Sequence, residues 1–241
     1  MPVILDVIDL VKSYAGKKVV NGLSFVVGKG QVVGLLGPNG AGKTTAFYMT
    51  MGLICPDKGH VFFSGKEVTQ AAVHKRAQMG MGYLAQEPSI FRSLTVEQNI
   101  RCILETLPLT RKERKERLQE LLEELRLTEL ARKKAMTLSG GERRRLEITR
   151  ALVTRPKLLL LDEPFANIDP ITIQEVKELI NHLKKKEISI LMTDHNAREV
   201  ASIVDYTYLI QGGKVTHQGT VDELIANASA RGSYFGEDFK L

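Results

Sequence analysis

A glycine-rich turn between a short apolar segment and an expected helix constrains this chain more than any other feature. The run Gly37-Pro38-Asn39-Gly40-Ala41-Gly42-Lys43-Thr44-Thr45 follows the β-branched, leucine-rich segment 31–36. Its spacing, G-x-x-x-x-G-K-[ST], in a strand–loop–helix context belongs to loops whose backbone N–H groups converge on phosphate. Glycines at 37, 40 and 42 let the backbone curl until successive N–H groups face one centre. The helix that follows adds the positive end of its dipole. In such a loop the lysine, Lys43, reaches the β- and γ-phosphates and the Thr44 hydroxyl ligates Mg²⁺. The loop is predicted to bind a nucleoside triphosphate.

The flanking pattern supplies the fold class. Residues 1–36 read as strands separated by turn signals at Ala15-Gly16, Asn21-Gly22 and Gly28-Lys29-Gly30. Segments 60–63 and 80–85 read as further short strands. From about Ser93 to Arg155 the pattern turns helical, with capping boxes predicted at Thr95–Gln98 and Thr110–Glu113. Leu118, Leu121, Leu122 and Leu125 then recur at helical spacing on an otherwise charged segment. This change of character reads as an inserted helical lobe, with the charge run 111–117 as its wetted face. Strand signals return at 158–162, 188–194 and 206–211, and Asp169-Pro170 is an N-cap followed by proline at the first helical position. Strands alternating with helices predict a parallel α/β sheet.

Composition matters here for what it excludes. Of 241 residues, 43% are hydrophobic and 26% charged, so the chain is not of the disordered class. Cys55 and Cys102 form no metal-ligand or disulfide pattern, which suits a reducing compartment. No apolar run approaches the roughly 18–20 residues that cross a bilayer. The N-terminal segment has no basic stretch and carries Asp6 and Asp9, unlike a signal peptide. The expected location is therefore cytoplasmic, with any membrane contact made through partners. A formal charge of +6 is small and interleaved with glutamates, so it reads as a solvated surface.

Two further motifs carry chemistry. Leu158 to Leu161 should be buried on both faces and would deliver Asp162 and Glu163 at the carboxyl end of a strand. Asp162 there would help hold Mg²⁺, and Glu163 would polarise an attacking water. The segment Leu138-Ser139-Gly140-Gly141-Glu142 is itself a capping box. Yet glycine at the first helical positions costs roughly 1 kcal/mol each against alanine, and a cap needs neither. A serine, two bare N–H groups and a helix start make a second anion site, one that would serve a neighbour's nucleotide.

The phosphate loop, Gln86, the Leu138–Glu142 motif, Leu158–Glu163 and His195 after Thr193-Asp194 resemble, in order and spacing, the ATPase subunits of ABC transporters. The resemblance covers essentially the whole chain. It implies a RecA-like phosphate-loop ATPase core with an antiparallel β-subdomain over residues 1–86 and 157–241, and an inserted α-helical subdomain over 87–156. It implies a head-to-tail homodimer, each ATP lying between one chain's loop and the other's Ser139, Gly140 and Gly141. By the same resemblance Gln86 contacts Mg²⁺ and the lytic water, His195 contacts the γ-phosphate, and Tyr14 stacks on adenine. Asp169 resembles the aspartate of the loop that follows, although Ile168 departs from the usual leucine.

ATPase subunits of this kind act on membrane partners, so two integral membrane subunits are implied, with this chain peripheral on the cytoplasmic face of the inner membrane. Ile90, Phe91 and Leu94 either line the groove that receives the partner or belong to the helical lobe's core. Segments 89–100, 138–148, 162–170, 193–199 and 234–241 are most similar to the branch that exports lipopolysaccharide. ATPases of branched-chain amino-acid importers share the same core, and the terminal Gly236-Glu237-Asp238-Phe239 favours export. A soluble relative acting on nucleic acid or ribosomes is the alternative of another class. Those chains carry two cassettes or long coiled coils, whereas this one has a single phosphate loop and one short charged helix.

Overall fold

The computed structural model describes residues 2–87, 89–166 and 168–231. Its two long N-terminal strands, β1 (Val3–Tyr14) and β2 (Lys17–Gly28), form an antiparallel hairpin, and β1 also pairs with β4 (Lys58–Phe63). A two-residue β5 (Lys66–Glu67) completes a four-stranded antiparallel sheet in the order β2-β1-β4-β5. Leu5, Val7, Leu10, Val20, Leu23, Phe25, Val61 and Phe63 are fully or almost fully buried beneath it.

The second sheet has six strands in the order β10-β9-β3-β8-β7-β6. These are β3 (Val32–Leu36), β6 (Met81–Leu84), β7 (Leu158–Asp162), β8 (Ser189–Thr193), β9 (Tyr206–Gln211) and β10 (Lys214–Gly219). β6, β7, β8, β3 and β9 run parallel, and β10 closes the edge antiparallel to β9. Residue parity explains why the parallel strands read as continuous apolar runs. In β7, Leu158 and Leu160 pack into the core under the antiparallel sheet, while Leu159 and Leu161 pack into the helical core. β3 alternates likewise, Val33 and Leu35 against Val32 and Leu36. A strand covered on both faces has no wet side to carry polar residues.

The helices follow their local signals. The phosphate loop opens α1 (Lys43–Met51), and the short α2 (Val73–Gln78) precedes β6. Between β6 and β7 come α3 (Val96–Leu104), α4 (Arg111–Glu124) and α5 (Gly140–Leu152). Each of these three begins with a reciprocal capping box, Thr95–Gln98, Thr110–Glu113 and Ser139–Glu142. The stripe on α4 is buried as its spacing requires, with Leu118, Leu121, Leu122 and Leu125 meeting Ile100, Leu104, Leu146 and Leu152. That cluster runs on without a break into Leu159 and Leu161, so the lobe shares the sheet's core. Asp169 caps α6 (Pro170–Lys185), which leads into β8, and α7 (Ala197–Ala201) leads into β9. Two short helices, α8 (Val221–Ala226) and α9 (Ala228–Ala230), follow β10.

The sequence reading did not anticipate β5, α2, β10 or α8. β10 is a polar edge strand, and the others span only two to six residues, too short for a periodic signal.

Candidate nucleotide site

The phosphate loop joins the buried end of β3 to α1, and its glycines are dictated by close packing. A Cβ on Gly37 would lie 2.1 Å from the Ile210 carbonyl oxygen, and one on Gly42 would lie 2.6 Å from that of Val19. Gly42 also has φ of 102°, the left-handed conformation that favours glycine. No side chain caps α1, so its first N–H groups remain free for an anion. Pro38, Asn39 and Gly40 are exposed, Ala41 is buried, Thr44 is exposed and Thr45 half-buried. Lys43 folds back over the loop, its Nζ donating to the carbonyls of Gly37 at 2.7 Å and Pro38 at 3.0 Å. Burial pushes this ammonium below its ordinary range, while Glu163, Asp194 and Asp162 pull it upward. A buried cation with three carboxylates near it and only carbonyls as acceptors is poised for a stronger anionic partner.

The carboxyl end of β7 brings the predicted polar residues together. Asp162 is buried, and its Oδ1 accepts a hydrogen bond from the Thr193 hydroxyl of β8 at 2.8 Å. Burial raises its pKa, with Glu163 adding to the rise and the Thr193 hydroxyl, the Tyr83 phenol and Lys43 opposing it. Glu163 holds a left-handed backbone, φ 46°, and its N–H donates to the Thr193 carbonyl at 2.9 Å. Such a conformation in a non-glycine residue stores strain. It turns the carboxylate toward Gln86, whose Nε2 donates to Glu163 Oε2 at 2.7 Å, while His195 Nδ1 stands 3.6 Å from the same oxygen. Gln86 follows β6 and His195 follows β8, so three strand ends converge on one carboxylate.

Thr193 and Asp194 border these residues, and the sequence reading gave neither a role of its own. Asp194 is fully buried and accepts from the N–H groups of Phe165 and Asn196, pinning the loops after β7 and β8 together. Their adjacency to His195 was the available signal.

The other predicted residues lie elsewhere. Ser139 caps α5 and its N–H donates to Glu142 Oε2 at 2.8 Å. Beside Gly140 nothing lies within 4 Å of a would-be Cβ, whereas at Gly141 that atom would meet Glu175 Oε2 at 2.5 Å. No hydrogen bond among the described residues links Ser139, Gly140 or Gly141 to the phosphate loop. Tyr14 ends β1, is 45% exposed and has Lys12 Nζ 5.8 Å from its ring centroid. Its hairpin borders the loop, since Val19 of β2 packs against Gly42. Asp169 accepts from the N–H groups of Ile171 and Thr172 and from the Thr172 hydroxyl, which holds it below the usual carboxylate range.

Ile90, Phe91 and Leu94 divide. Ile90 is buried in the lobe's core, Leu94 is half-buried and Phe91 is 49% exposed. Asn99, buried on α3, donates to the Phe91 and Thr95 carbonyls and accepts from the Phe91 N–H, holding this turn with the ring outward. Arg150 lies over that ring, 4.8 Å from its centroid. Asn167 and the terminal segment 234–241 lie outside the described residues.

The donor set fits a hard divalent cation. Asp162 Oδ2 is buried without a well-aligned hydrogen-bond partner, and Thr44 lies in the first turn of α1. An orphaned carboxylate oxygen and a hydroxyl, with phosphate oxygens to complete the set, are the ligands Mg²⁺ takes.

The chain is similar to known proteins along its whole length. Residues 20–166 match the family model described as ABC transporter. The lipopolysaccharide export system ATP-binding protein LptB of Acidithiobacillus ferridurans is 48% identical over 241 residues, all of both chains. The protein of the same name from Escherichia coli K12 is 43% identical over 234 residues, 97% of each chain. Among solved structures, the ADP conformation of MJ1267, an ATP-binding cassette of an ABC transporter, superposes with a TM-score of 0.88. It is 29% identical and covers 98% of this chain and 100% of its own.

Proposed function

The chain belongs to the ABC transporter family, as an ATP-binding ATPase cassette, and from that premise we propose that it powers extraction of lipopolysaccharide from the inner membrane for export. The observation that carries the catalytic part is the convergence of Gln86, Glu163 and His195 beside Asp162, on the side of the sheet where the phosphate loop opens. The cargo rests on identity over the full chain to two proteins named for lipopolysaccharide export.

In this reading the loop N–H groups from Gly37 to Thr45 cradle the β- and γ-phosphates, and Lys43 exchanges its two carbonyl acceptors for phosphate oxygens. Thr44 and Asp162, with Gln86, would hold Mg²⁺, which when bound neutralises charge on the phosphates. Glu163 orients a water and takes its proton as the water oxygen bonds to the γ-phosphorus and the bond to the β–γ bridging oxygen breaks. Gln86 fixes the Glu163 carboxylate and His195 contacts the γ-phosphate, so in-line geometry depends on three loops at once. Tyr14 stacks on the adenine.

Ser139, Gly140 and Gly141 serve the nucleotide of a second copy arranged head to tail. Open space at Gly140 supports this, as does Ile171, 77% exposed just after Asp169. Phe91, presented by Asn99, with exposed Met136 tied through its N–H to the carbonyl of the adjacent Arg92, is the contact for one of two integral membrane subunits. Movement of that turn reaches Gln86 five residues away, which links transport to water geometry. No helix among the described residues is long and apolar enough to cross a membrane, in keeping with a peripheral place on the cytoplasmic face.

Affinity purification from native membranes in mild detergent tests the assignment. Two different membrane subunits should co-purify with the wild type and be lost with Phe91→Ala, whose ATPase in isolation stays intact. Importer permeases, or ribosomes or DNA without membrane protein, would overturn the export reading.

A further inference from the structure

Two tyrosines beside the site have no part in the reaction described so far. Tyr83 of β6 pairs in parallel register with Leu160 of β7, so Asp162 lies two residues further along on the same face of the sheet. Diagonal neighbours of this kind are within reach of an aromatic side chain. The Tyr83 ring packs against Phe47 of α1, centroids 6.1 Å apart, which sets it under the helix that the phosphate loop opens. Tyr48 is the next residue on that helix, one turn beyond Thr44, so Thr44 and Tyr48 share a face. The Tyr83 hydroxyl interacts with both the Asp162 carboxylate and the Tyr48 hydroxyl.

Asp162 needs such a neighbour. Its carboxylate is buried, Thr193 satisfies Oδ1, and Oδ2 has no well-aligned partner. A carboxylate in this position pays for desolvation unless something holds and polarises it.

We propose that Tyr83, steadied by Tyr48, is a positioning residue that holds the Asp162 carboxylate from the interior and leaves its outward lone pairs for the cation. The inference rests on the reading that Asp162 helps hold Mg²⁺. Partners behind a metal ligand fix its orientation, and their loss typically weakens metal affinity about 10-fold or more. A purely packing role for Tyr83 would survive loss of the hydroxyl alone.

The test is binding of a fluorescent ATP analogue to the full chain, titrated with Mg²⁺ and repeated in EDTA. Wild type, Tyr83→Phe and Asp162→Asn are compared, each with its thermal unfolding midpoint. Tyr83→Phe should shift the Mg²⁺ midpoint about 10-fold upward and leave binding in EDTA unchanged. An unshifted midpoint, or equal weakening with and without Mg²⁺, overturns the inference. If Asp162→Asn leaves the Mg²⁺ response intact, the underlying metal assignment fails instead. Should Tyr83→Phe not fold, Tyr48→Phe is read the same way. A smaller shift in the same direction supports the proposal, and no shift overturns it.

Discussion

The strand end at Asp162-Glu163 and the helix start at Ser139 are both polar turns that follow apolar residues, yet they obey opposite rules. At Ser139 every local preference is met. Its side chain accepts from the Glu142 N–H, Glu142 returns the bond, and the carboxylate falls below its ordinary range because the Ser139 N–H donates to it. Thr95 and Thr110 begin their helices identically. At Asp162-Glu163 local preference is violated twice, by an orphaned buried oxygen and by a left-handed glutamate. Proteins break local rules mainly where function requires it. In the proposed function the strand end is the part built for chemistry, while at the helix start function is carried by what was left out, the side chains of two glycines.

The largest effect expected from this contrast is at the strand end. Glu163→Gln keeps shape and volume but removes the base, so hydrolysis should fall by about 10²–10⁴ while ATP still binds. Steady-state phosphate release and nucleotide binding measured on one preparation decide the matter. Near-normal turnover would mean that the strain at Glu163 serves something other than water activation.

The two glycines of α5 sharpen the other half. Gly140→Ala meets open space, so it should stabilise the fold by up to about 1 kcal/mol through helix propensity while lowering ATPase activity. Gly141→Ala should gain less, because the Glu175 carboxylate must swing out of the new methyl's way. Denaturant melts beside ATPase rates test the pair. Full activity in Gly140→Ala would return Ser139–Glu142 to a plain helix cap and remove the reason for placing a second nucleotide contact there.

How much of this was legible in sequence follows the same division. Helix starts, the stripe of α4 and the two-sided burial of β7 were legible because each depends on neighbours within a few residues. The phosphate loop was legible because its glycines answer to backbone packing and phosphate together. Gln86 and His195 were placed only by resemblance, since their convergence on Glu163 is created by strand order and not by any local pattern. Ile90 and Phe91 are adjacent in sequence and opposite in exposure, and periodicity could not separate them. What turns Phe91 outward is Asn99, eight residues on, a polar residue with no local signature.

The smallest predicted effect tests whether the helical lobe and the sheet behave as one body. Besides their shared apolar core, α4 is tied to α6 by Glu124, whose carboxylate accepts from Lys186 Nζ at 2.7 Å and meets His182 Nε2 at 3.2 Å. Burial pushes the Glu124 pKa up, but these two partners outweigh it and hold the group below the usual carboxylate range. The tie therefore contributes in full above the ordinary carboxylate pKa and is lost as pH falls through the lowered one. Glu124→Gln should cost less than about 1 kcal/mol at neutral pH, because solvent reaches both partners. It should also flatten the acid side of the stability profile. Melts in urea from neutral to acid pH would show it. A loss several times larger would mean that this seam, and not the apolar core running through it, holds the lobe against the sheet.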